Sequence, residues 1–441
     1  MCGIVGFVGS RGAASLLLEG LKRLEYRGYD SAGIAMMNGH GLETRKAKGK
    51  ISMLEGVLSL DPINGSVGIA HTRWATHGPP NEGNAHPHTD CTDSIAVVHN
   101  GIIENYAALR TMLRAQGHVF KSETDTEVLA HLIEAAFDGK LEDAVIDALN
   151  LIEGTYGIAV ISAKDPQKIV CARKGSPLLI GLGEGEFYVA SDVAAILQHT
   201  RQVVYLDDGE MGVLTPDGYT VLDLGARRIS KGVSRIDWSL DEIEKGGYDH
   251  FMLKEINEQP QTIQNTMRGR LVIDEGYSKL GGLNLSKAEL QGFDHVTLTA
   301  CGTSWHSALI GEMYIEELAR IRCETEYASE FRYRNPIVTD KTLCIVVSQS
   351  GETADTLAAM REAKRRGAKT LGLVNVVGST IAREDDGGIY LHAGPEIGVA
   401  STKAFTSQVI ALALLTFKLA RLRSMSVVKG RELAEAMLAL P

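Results

Sequence analysis

The chain has 441 residues, enough for two or three domains. An apolar fraction of 44% and a charged fraction of 23% are those of a globular protein, and the formal net charge of −10 argues against a nucleic-acid-binding surface. No apolar run approaches the ~20 residues of a membrane span, and the short, glycine-broken apolar start lacks the basic flank of a signal peptide.

Six scattered cysteines (Cys2, Cys91, Cys171, Cys301, Cys323 and Cys344) form no C-x-x-C pair. They point to reduced thiols in a cytoplasmic setting, not to disulfides or a zinc site.

In chain order, 2–8 reads as an apolar strand, 15–24 as a helix with leucines at helical spacing, and 31–37 and 66–70 as strands. Residues 94–101 form a strand closed by a turn-forming Asn100-Gly101. A helix over 126–136 and a hairpin over 157–172 follow, so the first part is mainly antiparallel sheet with helices on one side. Residues 226–290 read as a polar connection holding a helix that stops near Pro260 and a glycine-rich loop over 269–285. From about 293, apolar strands (295–300, 343–347, 370–374, 389–392) alternate with helices (307–319, 354–366, and one from 402), the pattern of a parallel sheet covered on both faces.

Cys2 stands directly behind Met1. With Met1 removed, one residue would carry a thiol and a free α-amine, titrating near ~8.5 and ~7.7–8.0, which joins a nucleophile to a base. Arg73, in the loop after a strand, offers a planar fork suited to a carboxylate, or to a surface salt bridge. Asn100 and Gly101 offer an amide and a backbone N–H to an oxyanion, or form a simple turn. The Ser122–Glu127 segment is acidic at a helix start, as an ordinary cap would be.

Five segments occur in order: Cys2-Gly3-Ile4-Val5-Gly6, Tyr26 to Gly33, His71 to Gly78, His99-Asn100-Gly101 and Ser122 to Glu127. Together they resemble the class II glutamine amidotransferase domain of the N-terminal-nucleophile fold. The resemblance implies an αββα sandwich in which Cys2 attacks the glutamine amide through a thioester. It implies that Asn100 and Gly101 form the oxyanion hole, and that Arg73 holds the glutamine carboxylate and Asp125 its α-amine. It also implies that Arg27, Trp74, Thr76 and His77 line the glutamine site, with Trp74 helping to gate the ammonia path.

Three later segments, 300–304, 348–353 and 399–403, place hydroxyls at strand-to-helix turns. Free N–H groups and hydroxyls at helix N-termini suit a phosphate, although single turns of this kind are usually caps. They resemble the sugar-isomerase (SIS) phosphosugar domain, a doubly wound parallel α/β fold. The resemblance implies sugar-phosphate contacts from Thr303, Ser304, Ser348, Gln349, Ser350 and Thr353, with Val399, Ala400 and Ser401 near the sugar.

The expected organisation is an amidotransferase domain over 2–225, a connection over 226–290 and one SIS domain over 291–430. The combination resembles the enzymes that carry glutamine ammonia to fructose 6-phosphate, giving glucosamine 6-phosphate and glutamate. No metal or organic cofactor is implied, and a cytoplasmic homodimer without nucleic-acid or membrane partners is. The family has two SIS domains and one is visible. The expectation is therefore that this stretch hydrolyses glutamine and makes little or no amino sugar. A phosphoribosyl-pyrophosphate acceptor would need its paired-acid loop and an asparagine-forming one an ATP-pyrophosphatase loop, and neither is found. A DNA-binding sugar sensor would need a helix-turn-helix and a basic surface.

Overall fold

The computed structural model describes residues 2–75, 77–236 and 244–441. Its chain divides into two compact units, Met1–Asp237 and Trp238–Pro441.

Unit 1 is built on two antiparallel sheets. The eight-stranded sheet runs Ser234–Arg235, Gln202–Tyr205, Leu179–Leu182, Phe187–Ala190, Gly3–Val8, Val67–Arg73, Ser31–Asn38, Gly41–Lys48. The seven-stranded sheet runs Arg228–Ile229, Gly218–Asp223, Glu210–Thr215, Asp165–Lys174, Gly154–Ser162, Ile95–Ile103, His88–Thr89. The two-residue period of a strand sends alternate side chains to opposite layers. Val98 and Ala159 thus meet Ile4, Val8 and Ile69 between the sheets, whereas Val97 and Val160 lie under Leu129, Ile133 and Val145 of the helices Glu127–Ala136 and Leu141–Leu151. The helix Ala13–Leu24 covers the outer face of the first sheet. The result is the expected αββα sandwich, and its central strand Gly3–Val8 begins one residue after Cys2.

Unit 2 centres on a five-stranded all-parallel sheet in the order Arg322–Tyr327, His295–Ala300, Thr342–Ser348, Lys369–Val374, Gly387–Tyr390. Leu298, Ile345 and Leu371 face one buried layer, and Cys344, Val346 and Val374 face the other. The helix Lys403–Arg421 is long and apolar enough to cross a membrane by length and composition, but 72% of that window is buried in the unit, where it packs on the helices Gly302–Tyr314 and Phe251–Met267.

Four local expectations are corrected. Asn100-Gly101 is not a turn: the strand Ile95–Ile103 runs through it, pairing Asn100 with Gly157 and Gly101 with Tyr156. The helix near Pro260 does not stop there but spans Phe251–Met267. The Ile256 carbonyl, which proline cannot serve with an N–H, accepts from Gln259 Nε2 at 3.2 Å, and Thr266 ties the later turns to the Leu391 carbonyl at 2.6 Å. The helix placed at 307–319 starts at Gly302, so Thr303 and Ser304 lie in its first turn. The strand Arg322–Tyr327 escapes sequence reading because it is a polar edge strand with Glu324, Thr325 and Glu326. Within 269–285, Leu271–Val272 and Tyr277–Ser278 pair as a short hairpin.

Candidate active site

Cys2 is half-buried at the mouth of the central strand. Its Sγ accepts a hydrogen bond from the Trp74 N–H at 3.2 Å and lies 3.6 Å from the Trp74 carbonyl. Burial pushes the thiol up, while the Trp74 N–H and the positive charges of Arg73 and Arg27 pull the other way. The resting group is a thiol that needs a base.

The neighbouring strand of the second sheet brings Asn100 to the same point. Its Nδ2 donates to the Cys2 carbonyl at 3.0 Å, and its Oδ1 lies 3.0 Å from His71 Nε2. His71 is fully buried, and that burial pushes its imidazole down to about 3. Nε2 also faces the His99 carbonyl at 3.1 Å, so two acceptors assign the ring proton to Nε2. That tautomer sets which way the Asn100 amide points.

Gly101 follows with φ +139. A Cβ there would meet the Thr155 carbonyl oxygen at 2.1 Å, so only glycine fits.

Arg73 is buried at the end of its strand. Its Nη2 donates to the His77 carbonyl, and its Nη1 has no hydrogen-bond partner among the described residues. Burial lowers the guanidinium, and nearby Cys2, Asp125 and Asp30 partly restore it. Asp125 is buried too: Oδ2 accepts from the Ile103 N–H at 2.8 Å, and Oδ1 stands 3.9 Å from His77 Nδ1. A partly unpartnered guanidinium and a carboxylate thus stand near Cys2, which suits the two charged groups of an α-amino acid.

Arg27 belongs to the surroundings: its Nη1 pairs with Asp192 at 2.8 Å and also donates to the Ser191 carbonyl. Trp74 is exposed and meets Tyr29 edge-on, with ring centroids 5.3 Å apart. The Gly28–Asp30 loop supports Arg73 to Ala75: Asp30 accepts from the Ala75 N–H at 2.8 Å, and Thr72 donates to the Gly28 carbonyl. Thr76 lies outside the described residues.

Sequence reasoning missed His71, His86, His88 and His99, a run of buried imidazoles behind Asn100. The spacing of His71, His86, His88 and His99 carries no motif, because the fold and not the chain gathers them.

In unit 2 the chain leaves His295–Ala300 for the edge strand, then returns to Thr342–Ser348 on the other side. Such a reversal opens a crevice at the carboxyl ends of the two strands. Thr303 and Ser304 sit after the first strand; Ser348 ends the second, and Gln349, Ser350 and Thr353 follow it. Ser348 Oγ accepts from the Gly351 N–H at 3.0 Å and lies 3.0 Å from Thr353 Oγ1. Gly351 has φ +65, and a Cβ there would strike Ser379 Oγ at 2.0 Å. Ser304 Oγ accepts from Gln408 Nε2 at 2.9 Å, linking the first turn to the helix that follows Val399, Ala400 and Ser401. Val399 is exposed.

An αββα sandwich with Cys2 at its central strand and Asn100 beside it, in one chain with a parallel sheet carrying hydroxyls at its switch point, defines the class of amidotransferases that carry a phosphosugar domain. In agreement, the glutamine amidotransferase domain family matches residues 71–198 and the SIS domain family residues 289–418. Over 446 aligned residues, 99% of this chain, the chain is 56% identical to glutamine–fructose-6-phosphate aminotransferase [isomerizing] of Chlorobaculum tepidum, and over its full length 51% identical to that of Clostridium perfringens. It spans 72% of the length of each. It also resembles the solved C-terminal domain of glucosamine-fructose-6-phosphate aminotransferase from Francisella tularensis (40% identity, TM-score 0.42, covering 44% of this chain and 54% of that one). The chain belongs to the glutamine–fructose-6-phosphate aminotransferase (isomerizing) family.

Proposed function

We propose that this chain hydrolyses glutamine at Cys2 and binds the sugar phosphate, in the family reaction that carries the ammonia to fructose 6-phosphate for glutamate and glucosamine 6-phosphate. The observation that carries this reading is the Cys2–Asn100–His71 arrangement beside Arg73 and Asp125.

Once Met1 is gone, the Cys2 α-amine takes the thiol proton, and Sγ attacks the side-chain amide carbon of glutamine. The C=O electron pair moves onto oxygen, where Asn100 Nδ2 and the Gly101 N–H stabilise it. Collapse of that intermediate breaks the C–N bond. The α-ammonium returns its proton to the leaving nitrogen, and ammonia departs. Water then cleaves the thioester to glutamate. Arg73 binds the substrate α-carboxylate and Asp125 its α-ammonium. Arg27 adds positive field, Thr76 and His77 belong to the loop that closes over glutamine, and Trp74 helps gate the ammonia path.

At the second site, Thr303, Ser304, Ser348, Gln349, Ser350 and Thr353 take the phosphate and sugar hydroxyls, with Val399, Ala400 and Ser401 beside the sugar. The proposed boundaries are 2–225, 226–290 and 291–430. A working thiol at the N-terminus and six free cysteines support a cytoplasmic setting. A homodimer is part of the same reading.

The experiment is a glutaminase assay with and without fructose 6-phosphate, with mass determination of the N-terminus. Hydrolysis that needs Met1 removal and disappears in Cys2→Ala is expected. Hydrolysis that persists in Cys2→Ala overturns the assignment.

A further inference from the structure

One cluster in unit 1 is not used by the glutamine chemistry. Cys91 follows the strand His88–Thr89, His118 follows the helix Tyr106–Ala115, and His131 and Glu134 stand one turn apart on Glu127–Ala136. Four donor atoms converge. Cys91 Sγ is 3.5 Å from His118 Nδ1 and 3.5 Å from His131 Nδ1. The two Nδ1 atoms are 3.3 Å apart, and Glu134 Oε2 is 3.0 Å from one and 3.4 Å from the other.

These five separations are close to the edges of a tetrahedron, and all four atoms lie within 4.8 Å of one another. With zinc–sulfur bonds of about 2.3 Å and zinc–nitrogen or zinc–oxygen bonds of about 2.0–2.1 Å, tetrahedral edges come to about 3.5 Å for S···N and about 3.3 Å for N···N and N···O. A hydrogen-bonded cluster explains the geometry less well. Each neutral imidazole carries one ring proton, and two Nδ1 atoms facing a thiol and a carboxylate cannot serve five close contacts at once. A cation at the centre meets all four lone pairs together.

The surroundings agree. The His131 ring is buried, its Nε2 makes no hydrogen bond within normal distance among the described residues, and Glu127 Oε1 stands 3.7 Å from it. Glu127 is anchored by the Lys121 and Ser122 N–H groups at 2.6 and 2.7 Å. A carboxylate behind a ligating histidine is the usual outer support of a metal site. The Cys91 N–H also donates to Glu134 Oε2 at 3.2 Å.

We propose that Cys91, His118, His131 and Glu134 form a four-coordinate structural zinc site. A thiolate with two imidazoles favours zinc over magnesium or calcium, and four protein ligands leave no open position for catalysis. The ion would clip three segments together beside the Ser122–Asp125 loop. No C-x-x-C spacing announces the site, because the ligands come from three places in the chain.

The test uses the full chain, desalted and assayed for metal, then stripped and titrated with cobalt(II). About one zinc per chain is expected, with a thiolate-to-cobalt charge-transfer band and tetrahedral d–d bands. Cys91→Ser should remove the charge-transfer band, and Glu127→Gln should weaken zinc binding about 10–100-fold. Substoichiometric zinc together with no charge-transfer band in folded wild-type protein overturns the proposal, as does an unchanged band in Cys91→Ser. If the variants do not fold, the wild-type titration decides alone.

Discussion

His71 Nε2 stands 3.0 Å from Asn100 Oδ1, and the opposite end of the same amide donates to the Cys2 carbonyl at 3.0 Å. A buried, neutral imidazole thereby orients the group assigned to the oxyanion. His71→Phe is expected to lower kcat for glutamine hydrolysis with little change in KM. Asn100→Ala should cost more, about 10²–10³ in kcat. Equal losses in KM and kcat for His71→Phe would mean that the residue only supports packing. Steady-state kinetics on the two variants separates these outcomes.

Arg73 is buried, and one of its guanidinium nitrogens has no hydrogen-bond partner among the described residues. Arg73→Lys retains the charge and loses the fork. KM for glutamine should rise at least about tenfold, since bidentate recognition of a carboxylate is lost. Isothermal titration of glutamine onto Cys2→Ala protein with and without the substitution measures the same effect without turnover.

Gly101→Ala meets both a φ of +139 and the Thr155 carbonyl 2.1 Å from the new Cβ. Backbone strain alone is worth about 1–3 kcal/mol, and the strand pairing must also open. Chemical denaturation of unit 1 should show a destabilisation in that range or above, accompanied by loss of glutaminase activity.

His71, His86, His88 and His99 are all buried, and burial lowers each of them, His71 to about 3. Between that value and the unfolded value near ~6.5, the unfolded chain binds more protons than the folded one. Stability is therefore present above pH ~6.5 and is lost as pH falls through that point, at up to ~1.4 kcal/mol per pH unit for each histidine. Melting of unit 1 followed from pH 7.5 to 5 should show the decline, and His88→Gln should flatten it. A stability that is level over that window would contradict the assignment.

Ser348 Oγ sits at the carboxyl end of its strand, among N–H groups of the following turn. Ser348→Ala should weaken fructose 6-phosphate binding about 10–100-fold, the range of a hydrogen bond to a charged group. The basal glutaminase rate should stay unchanged. Calorimetric titration with the sugar phosphate checks the first, and a glutaminase assay without it the second.

Much of this was legible in the residues. Cys2, Arg73, Asn100 and Asp125 are chemically distinctive side chains in recognisable segments, and the apolar alternation announced both sheet types. The errors came from tertiary override of local signals. Asn-Gly is a turn former in isolation, but pairing with Tyr156 and Gly157 holds it in the ladder. Pro260 breaks an isolated helix, but packing against Lys403–Arg421 carries the chain through. The buried histidines and the Cys91 cluster were invisible for another reason: each joins residues far apart in sequence, and only the folded sheets make them neighbours.

The strand Gly3–Val8 is paired along its length to Val67–Arg73, and over Val5 to Val8 also to Phe187–Ala190. The amides of Val5 to Val8 should therefore exchange with solvent through opening of the sandwich and not by fraying. A nucleophile carried at the head of such a strand cannot drift while the rest of the unit survives. Heat inactivation and the cooperative loss of the sheets should accordingly follow one curve.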